Sequence, residues 1–300
     1  MVEVREIYNV HHEMPLGILI ATYFYFTGLS AGSFILSTLA YGFGIQKYTP
    51  ISQSAMILAT VLLLVAPINL VVDLEPPIRF YHLFVYFNFT SPITYGSFLL
   101  TIYPISCIVY GYFMFRENVK VAKICGLIGI PLALLVHGYT GFIMALGKAR
   151  ILWNTALMPT IFLVSAMVSG IALMILVVLI MSIFKAGQRD TYKELTLDLG
   201  KILVLTIVTD LTLIGSDIII LLTSHHDAYH AAMLILKGSF APMFLGVEII
   251  LGSIIPLILL LVPYSRKSLI SHAVASVLVM IGIYAMRYVM VVGGQSLPLS

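Results

Sequence analysis

Eight long apolar stretches constrain what this chain can fold into. A helix that crosses the hydrocarbon core of a bilayer needs about 20 apolar residues, and each stretch reaches that length. They occupy residues 15–43, 51–72, 93–115, 121–146, 155–184, 198–223, 240–263 and 268–292. A backbone in lipid must satisfy its own hydrogen bonds, which favours helices. We therefore predict an all-α integral membrane protein with eight transmembrane helices, arranged as two four-helix bundles.

The composition supports this fold class and leaves little chain for a soluble domain. Of the 300 residues, 60% are hydrophobic and 10% are charged, and the mean hydropathy is +1.06, values typical of polytopic membrane proteins. We predict one polytopic membrane domain over residues 1–300, surrounded by membrane lipid. The net charge of +3 is a small basic excess of the kind that cytoplasmic loops carry. We therefore expect no nucleic-acid partner.

The basic residues outside the spans are distributed unevenly, and this predicts the orientation. The side reached after the odd-numbered spans carries ten: Lys47, Arg116, Lys120, Lys123, Lys185, Arg189, Lys193, Lys201, Arg266 and Lys267. The other side carries five: Arg5, Arg79, Lys148, Arg150 and Lys237. Lys and Arg accumulate in cytoplasmic loops. We predict a multi-pass protein of the cell membrane, with both termini and segment 73–96 on the outer side.

Five ionisable residues stand out inside the apolar spans: His137, Asp210, Asp217, Glu248 and Arg287. A charged side chain at the centre of a membrane helix costs about 2.5–3.5 kcal/mol on insertion scales, so such residues usually serve a function. Counted from the helix ends, they lie below the outer surface. We predict that they line a polar cavity that opens outward and transfers protons. The alternative is a buried pair of Arg287 with a carboxylate that only fixes helix packing.

Two further places suit a binding site. Segment 73–96, between the second and third apolar stretches, is rich in aromatic, charged and Pro residues, which favours a packed structure at the membrane surface. It is either the rim of a site or an ordinary interfacial loop. Tyr139 carries a hydroxyl that can donate to a carbonyl, and Gly138 and Gly141 beside it leave room for a flat ring. The alternative is a tyrosine of the interfacial aromatic belt.

Several segments resemble signatures of one family of membrane proteins. Segment 73–83 reads Asp-Leu-x-x-Pro-x-Arg-Phe-x-His-Leu, and segment 90–96 reads Thr-Ser-Pro-Ile-Thr-Tyr-Gly. Further matches are Tyr-Thr-Gly-Phe at 139–142, Trp-Asn-Thr-x-Leu-x-Pro at 153–159, and the run 287–299, which begins Arg-Tyr-Val-Met-Val-Val-Gly-Gly-Gln. Together these segments resemble the NrfD/PsrC family, the integral-membrane subunits of polysulfide reductase and related molybdoenzymes.

The resemblance implies a membrane anchor that is not catalytic alone. Such a subunit exchanges electrons between a membrane quinone, expected here to be of the menaquinone type, and an iron–sulfur subunit on the outer face, which serves a molybdopterin catalytic subunit. Carried over, Tyr139 is the quinone-contacting tyrosine, with Arg79 and His82 around the ring. The first helix departs from the family: it reads Tyr-Phe-Tyr-Phe at 23–26 where the polysulfide reductase subunit has polar Asn and His. Tyr23 is the candidate replacement.

Two other functions remain open: an ion-coupled secondary transporter or channel, since intramembrane carboxylates also suit ion coupling, and a purely structural membrane anchor.

We expect no haem, because only His137 lies clearly inside a span, and no metal. His226 and His230, at helical spacing in an outer loop with His225, leave weak metal binding as an alternative. We expect segments 73–92 and 224–239, the longest outward connections, to dock the iron–sulfur subunit.

Overall fold

The structure, a computed structural model, describes residues 16–74 and 76–296. This part of the chain contains eight helices that are long and apolar enough to cross a membrane. They are Ile18–Tyr41, Gln46–Asp73, Pro92–Phe115, Val119–Ala145, Met158–Phe184, Arg189–Thr223, Pro242–Leu261 and Leu269–Gly293. No strand occurs among the described residues. The predicted fold class and number of transmembrane helices are confirmed, and the chain is a multi-pass membrane protein.

The first and fifth spans form the centre of the molecule. The first packs against the second, fourth, fifth and eighth spans, and the fifth also packs against the fourth, sixth and eighth. Their contact is close at Gly32, where an added Cβ would lie 2.9 Å from the Cα of Gly170. Small residues permit this approach in lipid, where helix association depends on packing. Because both central helices contact each half of the chain, the division into two four-helix bundles stays a prediction.

The sixth helix is longer than we predicted. It covers 35 residues, from Arg189 to Thr223, or about 52 Å, so its first turns extend beyond a hydrocarbon core of about 30 Å. Residues 189–197, which we expected in a loop, are helical. Tyr192 and Leu195 bury one face of this extension. Its other face carries charged residues, so this amphipathic portion does not form a continuous apolar stretch in the sequence.

The two long connections that we predict to face outward contain short helices. Pro77–Tyr81 and His82–Val85 lie in the first connection, and His226–Leu236 lies in the second. The helix in segment 224–239 is amphipathic, and the residues it buries are Ala228, Ala231, Ala232 and Ile235. These contacts fix it against the bundle, so segment 224–239 presents an ordered surface at this end of the molecule.

The seventh span begins as a π-helix, Pro242–Ile254, and continues as an α-helix, Ile255–Leu261. π-Helical turns are rare and occur frequently at functional sites. This one contains Glu248 and brings Gly252 against Gly282 of the eighth span, where an added Cβ on either glycine would lie 2.5 Å from the Cα of the other. The apolar pattern of the sequence does not distinguish this segment from an α-helix.

Candidate functional site

Arg287 lies at the centre of a polar cluster between the fourth, fifth and eighth spans. Its side chain is fully buried. Nη2 donates to Ser165 Oγ at 2.6 Å and to the Phe162 carbonyl oxygen at 3.2 Å, and Cζ lies 3.8 Å from the centroid of the Phe162 ring. A cation over an aromatic face is attracted by the ring quadrupole. The fifth span therefore holds the guanidinium with neutral groups.

His137 of the fourth span shares this cluster. Its Nε2 lies 2.8 Å from the Phe162 carbonyl oxygen and 3.2 Å from Arg287 Nη2. An arginine N–H only donates and a carbonyl only accepts, so Nε2 bonds one of the two at a time. His137 Nδ1 is buried and has no hydrogen-bond partner among the described residues. The two tautomers of the ring thus give Nε2 different partners at a fixed position.

Three carboxylates approach or flank the cluster. Asp210, Glu248 and Asp217 are 2%, 2% and 3% exposed. Arg287 attracts Asp210 and Glu248 electrostatically. Nevertheless, within the described part of the chain no carboxylate oxygen lies within 4.0 Å of an Arg287 nitrogen. The direct Arg287–carboxylate pair that we considered as an alternative does not form there.

The carboxylates have unused hydrogen-bonding capacity. One oxygen of Asp210, one of Asp217 and both of Glu248 are buried with no partner among the residues described. Asp217 lies seven residues beyond Asp210 on the same helix, about two turns along the same face, and faces Thr155 rather than Arg287. Arg287 and His137 are therefore in contact, Asp210 and Glu248 interact with Arg287 electrostatically without a direct ion pair among the described residues, and Asp217 lies apart from them.

Tyr139 and Tyr23 lie on helices that pack against each other, towards the end of the bundle that we predict to face outward. The Tyr139 hydroxyl donates to the Pro92 carbonyl oxygen at 2.9 Å, and its ring packs so closely on Gly96 that a Cβ there would overlap it. Tyr23 is 4% exposed and lies close enough to Tyr139 for electrostatic interaction. The first turn of the third span thus holds Tyr139 in place.

Arg79 and His82 line a separate cleft of about 450 Å³ at the end of the bundle that we predict to face outward. Arg79 is exposed and His82 is half-buried, with ring centroids 4.6 Å from Tyr81 and 5.2 Å from Tyr86. The cleft extends to the first turn of the third span, whose opposite face contacts Tyr139. The four predicted quinone residues therefore form two pairs on different faces of that turn.

Sequence reasoning missed the contacts that join the outer ends of the spans. Trp153 Nε1 donates to the Met290 carbonyl oxygen at 2.6 Å, and Arg150 Nη1 donates to the Gln295 carbonyl oxygen at 2.9 Å. The Gln295 side chain bonds both the N–H and the carbonyl of Leu16 at 3.1 and 2.7 Å. The bond between Trp153 and Met290 connects two segments that carry the family resemblance, 153–159 and 287–299; residues 297–299 of the second lie outside the described part.

Two outward histidines come together as the helical spacing suggested. The Nε2 atoms of His226 and His230 lie 3.1 Å apart on an exposed helix. Within the described residues, no group of three or more His, Cys, Asp or Glu is arranged to hold a metal ion. A pair alone offers at most two ligands, fewer than the three or four protein ligands of usual zinc sites.

Comparisons with known proteins fit this architecture. The family model described as "Polysulphide reductase, NrfD" matches residues 7–298. A selenate reductase subunit of Mesobacillus selenatarsenatis is 29% identical, over 94% of this chain and 74% of its own length. The Hdr-like menaquinol oxidoreductase integral membrane subunit of Archaeoglobus fulgidus is 29% identical, over 97% of this chain and 73% of its own length. Protein NrfD homolog of Haemophilus influenzae is 26% identical, over 92% and 93%.

Proposed function

Since the chain belongs to the NrfD polysulphide reductase family, we propose that it is the quinone-reactive membrane subunit of an oxidoreductase complex in the cell membrane. The observation that carries this proposal is the extent of the family match, residues 7–298. A relative named as a subunit of a menaquinol oxidoreductase supports a quinone of the menaquinone type. The chain alone is not catalytic, and its task is to exchange electrons with partner subunits.

A quinone head group fits the outer cleft. The cleft has a volume of about 450 Å³, which lies within the roughly 300–1,000 Å³ that small-molecule sites occupy. Arg79 and His82 supply N–H donors, and Tyr86 and Ile93 supply apolar walls. A bound quinone supplies two-electron, two-proton chemistry. The residues of the cleft bind the ring and orient its carbonyls.

Tyr139 and Tyr23 form the inner part of the proposed site. The first turn of the third span separates them from the cleft, and the Tyr139 hydroxyl now bonds the Pro92 carbonyl. We place Tyr139 as a donor to a carbonyl of the quinone ring. Its hydroxyl must then leave the Pro92 carbonyl and bond the ring carbonyl instead. Replacing one neutral hydrogen bond by another changes the free energy little. Tyr23, which is buried in the neighbouring first span, interacts with Tyr139 electrostatically.

The proposed electron-transfer partner is an iron–sulfur subunit docked on the outer side. Ile78, Tyr86 and Phe89 are 85%, 73% and 68% exposed, and exposed apolar patches of this kind mark contacts with protein or lipid. Together with the helix His226–Leu236, they form the surface we assign to this contact. A molybdopterin subunit, the site of substrate chemistry, would then complete the complex.

We assign the protons of the quinone reaction to the cluster around Arg287. Asp210 and Glu248 can each bind and release a proton, and His137 can relay one between its ring nitrogens. Arg287 keeps its charge and attracts the carboxylates. Asp217, two turns nearer the outer end than Asp210, extends the route outward. The support for this assignment is the set of buried carboxylate oxygens that lack a partner among the described residues.

Quinol-dependent activity of the assembled complex tests the proposal. Tyr139→Phe and Arg79→Ala should each weaken quinone binding by roughly tenfold, because each removes a donor whose loss costs about 1–2 kcal/mol. Activity with a soluble artificial electron donor, which bypasses the membrane subunit, should not change. Tyr95→Phe is the matched control, since Tyr95 donates to the Phe89 carbonyl at 2.8 Å on the same outer side. If neither variant changes quinol-dependent activity, the structural-anchor alternative becomes the better account.

A further inference from the structure

A second cavity, of about 560 Å³, opens at the end of the bundle opposite to the proposed quinone site. We call it the inner cavity. It lies between the extended start of the sixth helix, the end of the seventh and the start of the eighth. Its charged and titratable lining residues are Lys47, Glu194, Asp198, Lys201, Arg266, Lys267 and His272. The quinone reaction uses none of them.

The inner cavity has an excess of positive charge. Its two carboxylates are already paired: Lys47 Nζ lies 3.3 Å from Glu194 and 3.4 Å from Asp198, and Lys201 Nζ lies 3.6 Å from Asp198. Arg266 and Lys267 also line the cavity. Among the described residues, neither has a carboxylate within 4.0 Å. Two cations therefore face the cavity without a counter-ion from the part of the chain that is described.

His272 adds a buried polar group to the same cavity. It is 2% exposed, and its Nδ1 lies 2.9 Å from the Ser268 carbonyl oxygen. Because a carbonyl only accepts, Nδ1 carries the proton, and Nε2 of the neutral ring is an acceptor. Nε2 is the ring atom nearest to Gly200, where a side chain would overlap the imidazole. The cavity thus combines two free cations with one buried acceptor that suits a hydroxyl.

The apolar part of the lining distinguishes this cavity from a site for a soluble anion. Leu260 is buried, whereas Leu261 beside it is 57% exposed at the end of a membrane span. Val204 of the sixth helix completes this wall. A ligand with a charged head and a hydrocarbon tail satisfies both parts of the lining, and basic pockets between transmembrane helices bind anionic lipid head groups.

We propose that the inner cavity binds an anionic phospholipid whose head group carries hydroxyls, of the phosphatidylglycerol class. Its phosphate lies between Arg266 and Lys267, since charge-assisted hydrogen bonds to phosphate are the strong ones. A head-group hydroxyl donates to His272 Nε2. One acyl chain follows Leu261 into the bilayer. Because the site needs no quinone and no partner subunit, it stands or falls independently of the proposed function.

The test measures binding of a short-chain phosphatidylglycerol to the full chain in phosphatidylcholine nanodiscs. Binding should saturate at one lipid per chain, and the double variant Arg266→Gln/Lys267→Gln should weaken it roughly thirtyfold. Lys120→Gln/Lys123→Gln is the matched control, because it removes the same charge from exposed residues on the same membrane side outside the cavity. Equal weakening by the control would show that only general surface charge attracts the lipid, and would overturn the site.

Two further arms identify the ligand. Inorganic phosphate at millimolar concentration should not displace the lipid; displacement at that concentration would show that the cavity binds a free anion instead. His272→Ala should lower the preference for phosphatidylglycerol over phosphatidic acid, which lacks the head-group hydroxyls. An unchanged preference would overturn the hydroxyl contact. The thermal midpoint of each variant, measured in parallel, separates lost binding from lost folding.

Discussion

Arg287 is a buried cation that neutral groups hold in place. The Ser165 hydroxyl, the Phe162 carbonyl and the Phe162 ring all contact its guanidinium. A charge without such partners is very unfavourable in a protein interior. Because these partners do not ionise, the guanidinium can keep its position while Asp210 and Glu248 gain or lose protons. A fixed charge beside exchangeable carboxyls is a useful arrangement for a proton route.

The bond from Arg287 to Ser165 leads to a stability prediction. Ser165→Ala removes a 2.6 Å hydrogen bond to a buried charged donor and should lower the free energy of unfolding by about 1–3 kcal/mol. Ser169→Ala is the control on the same helix. The Ser169 hydroxyl is also buried, but it donates only to the backbone carbonyls of Ser165 and Ala166 in its own helix. Denaturant unfolding of the purified protein in detergent measures both. Equal losses would contradict a special role for Ser165.

The sequence predicts the ionisable members of this cluster but not their partners. Asp210, Glu248 and Arg287 are conspicuous because charged residues are rare in apolar spans. Ser165 and Phe162 are ordinary residues of a membrane helix, and only the rotation of the fifth span about its axis turns them towards Arg287. For the same reason the sequence did not show that the proposed quinone residues fall on two faces of one helical turn.

At the scale of helices, the apolar pattern predicts spans that are apolar on every face and misses amphipathic helices. It places all eight spans, yet it begins the sixth at 198 rather than at Arg189. The apolar pattern predicts a loop where the helix His226–Leu236 lies, because the face of this helix away from the bundle is polar. The π-helix at Pro242–Ile254 has no signature in apolar content. These three features depend on which face of each helix packs against a neighbouring helix, and the apolar pattern does not contain that information.

The contact between the first and fifth helices gives a prediction at this scale. Gly32→Ala would place a Cβ 2.9 Å from the Cα of Gly170, so the two helices must separate, and overpacking of this kind costs typically about 1–3 kcal/mol. Gly215→Ala is the matched control in the sixth span, because no atom other than its chain neighbours and its own helix backbone lies within 4 Å of its added Cβ. Since Ala favours helices over Gly, the control should be neutral or slightly stabilising. A stable Gly32→Ala variant would contradict the close packing.

At the scale of the whole molecule, the two proposed sites lie at opposite ends of the bundle. The outer end carries the cleft of Arg79 and His82, and the inner end carries the cavity of Arg266 and Lys267. The positive-inside rule assigns the inner end to the cytoplasm. The proposed orientation therefore presents the quinone site to an outer partner and the basic cavity to cytoplasmic-leaflet lipid.

Cysteine labelling tests this orientation. In a variant without Cys107 and Cys125, a cysteine at Gly187 should react with a membrane-impermeant reagent only after the cells are permeabilised, because it follows the fifth span on the basic side. A cysteine at Asn88, an exposed residue of the outward connection, should react in intact cells. Labelling of Gly187→Cys from outside would reverse the topology and move the proposed docking surface to the cytoplasm.

The buried guanidinium also bears on how well the bundle insulates the membrane. At an effective dielectric constant near 20, the guanidinium interacts with a unit charge about 8 Å away by about 2 kcal/mol. The interaction is repulsive for a cation and attractive for an anion. Sodium and potassium ions entering the bundle would therefore be repelled, in the way that an arginine helps some channels to exclude cations. A proton carried by a carboxyl group travels in neutral form and avoids this barrier. Arg287 would thus let the proposed proton transfer proceed without opening a leak for metal ions.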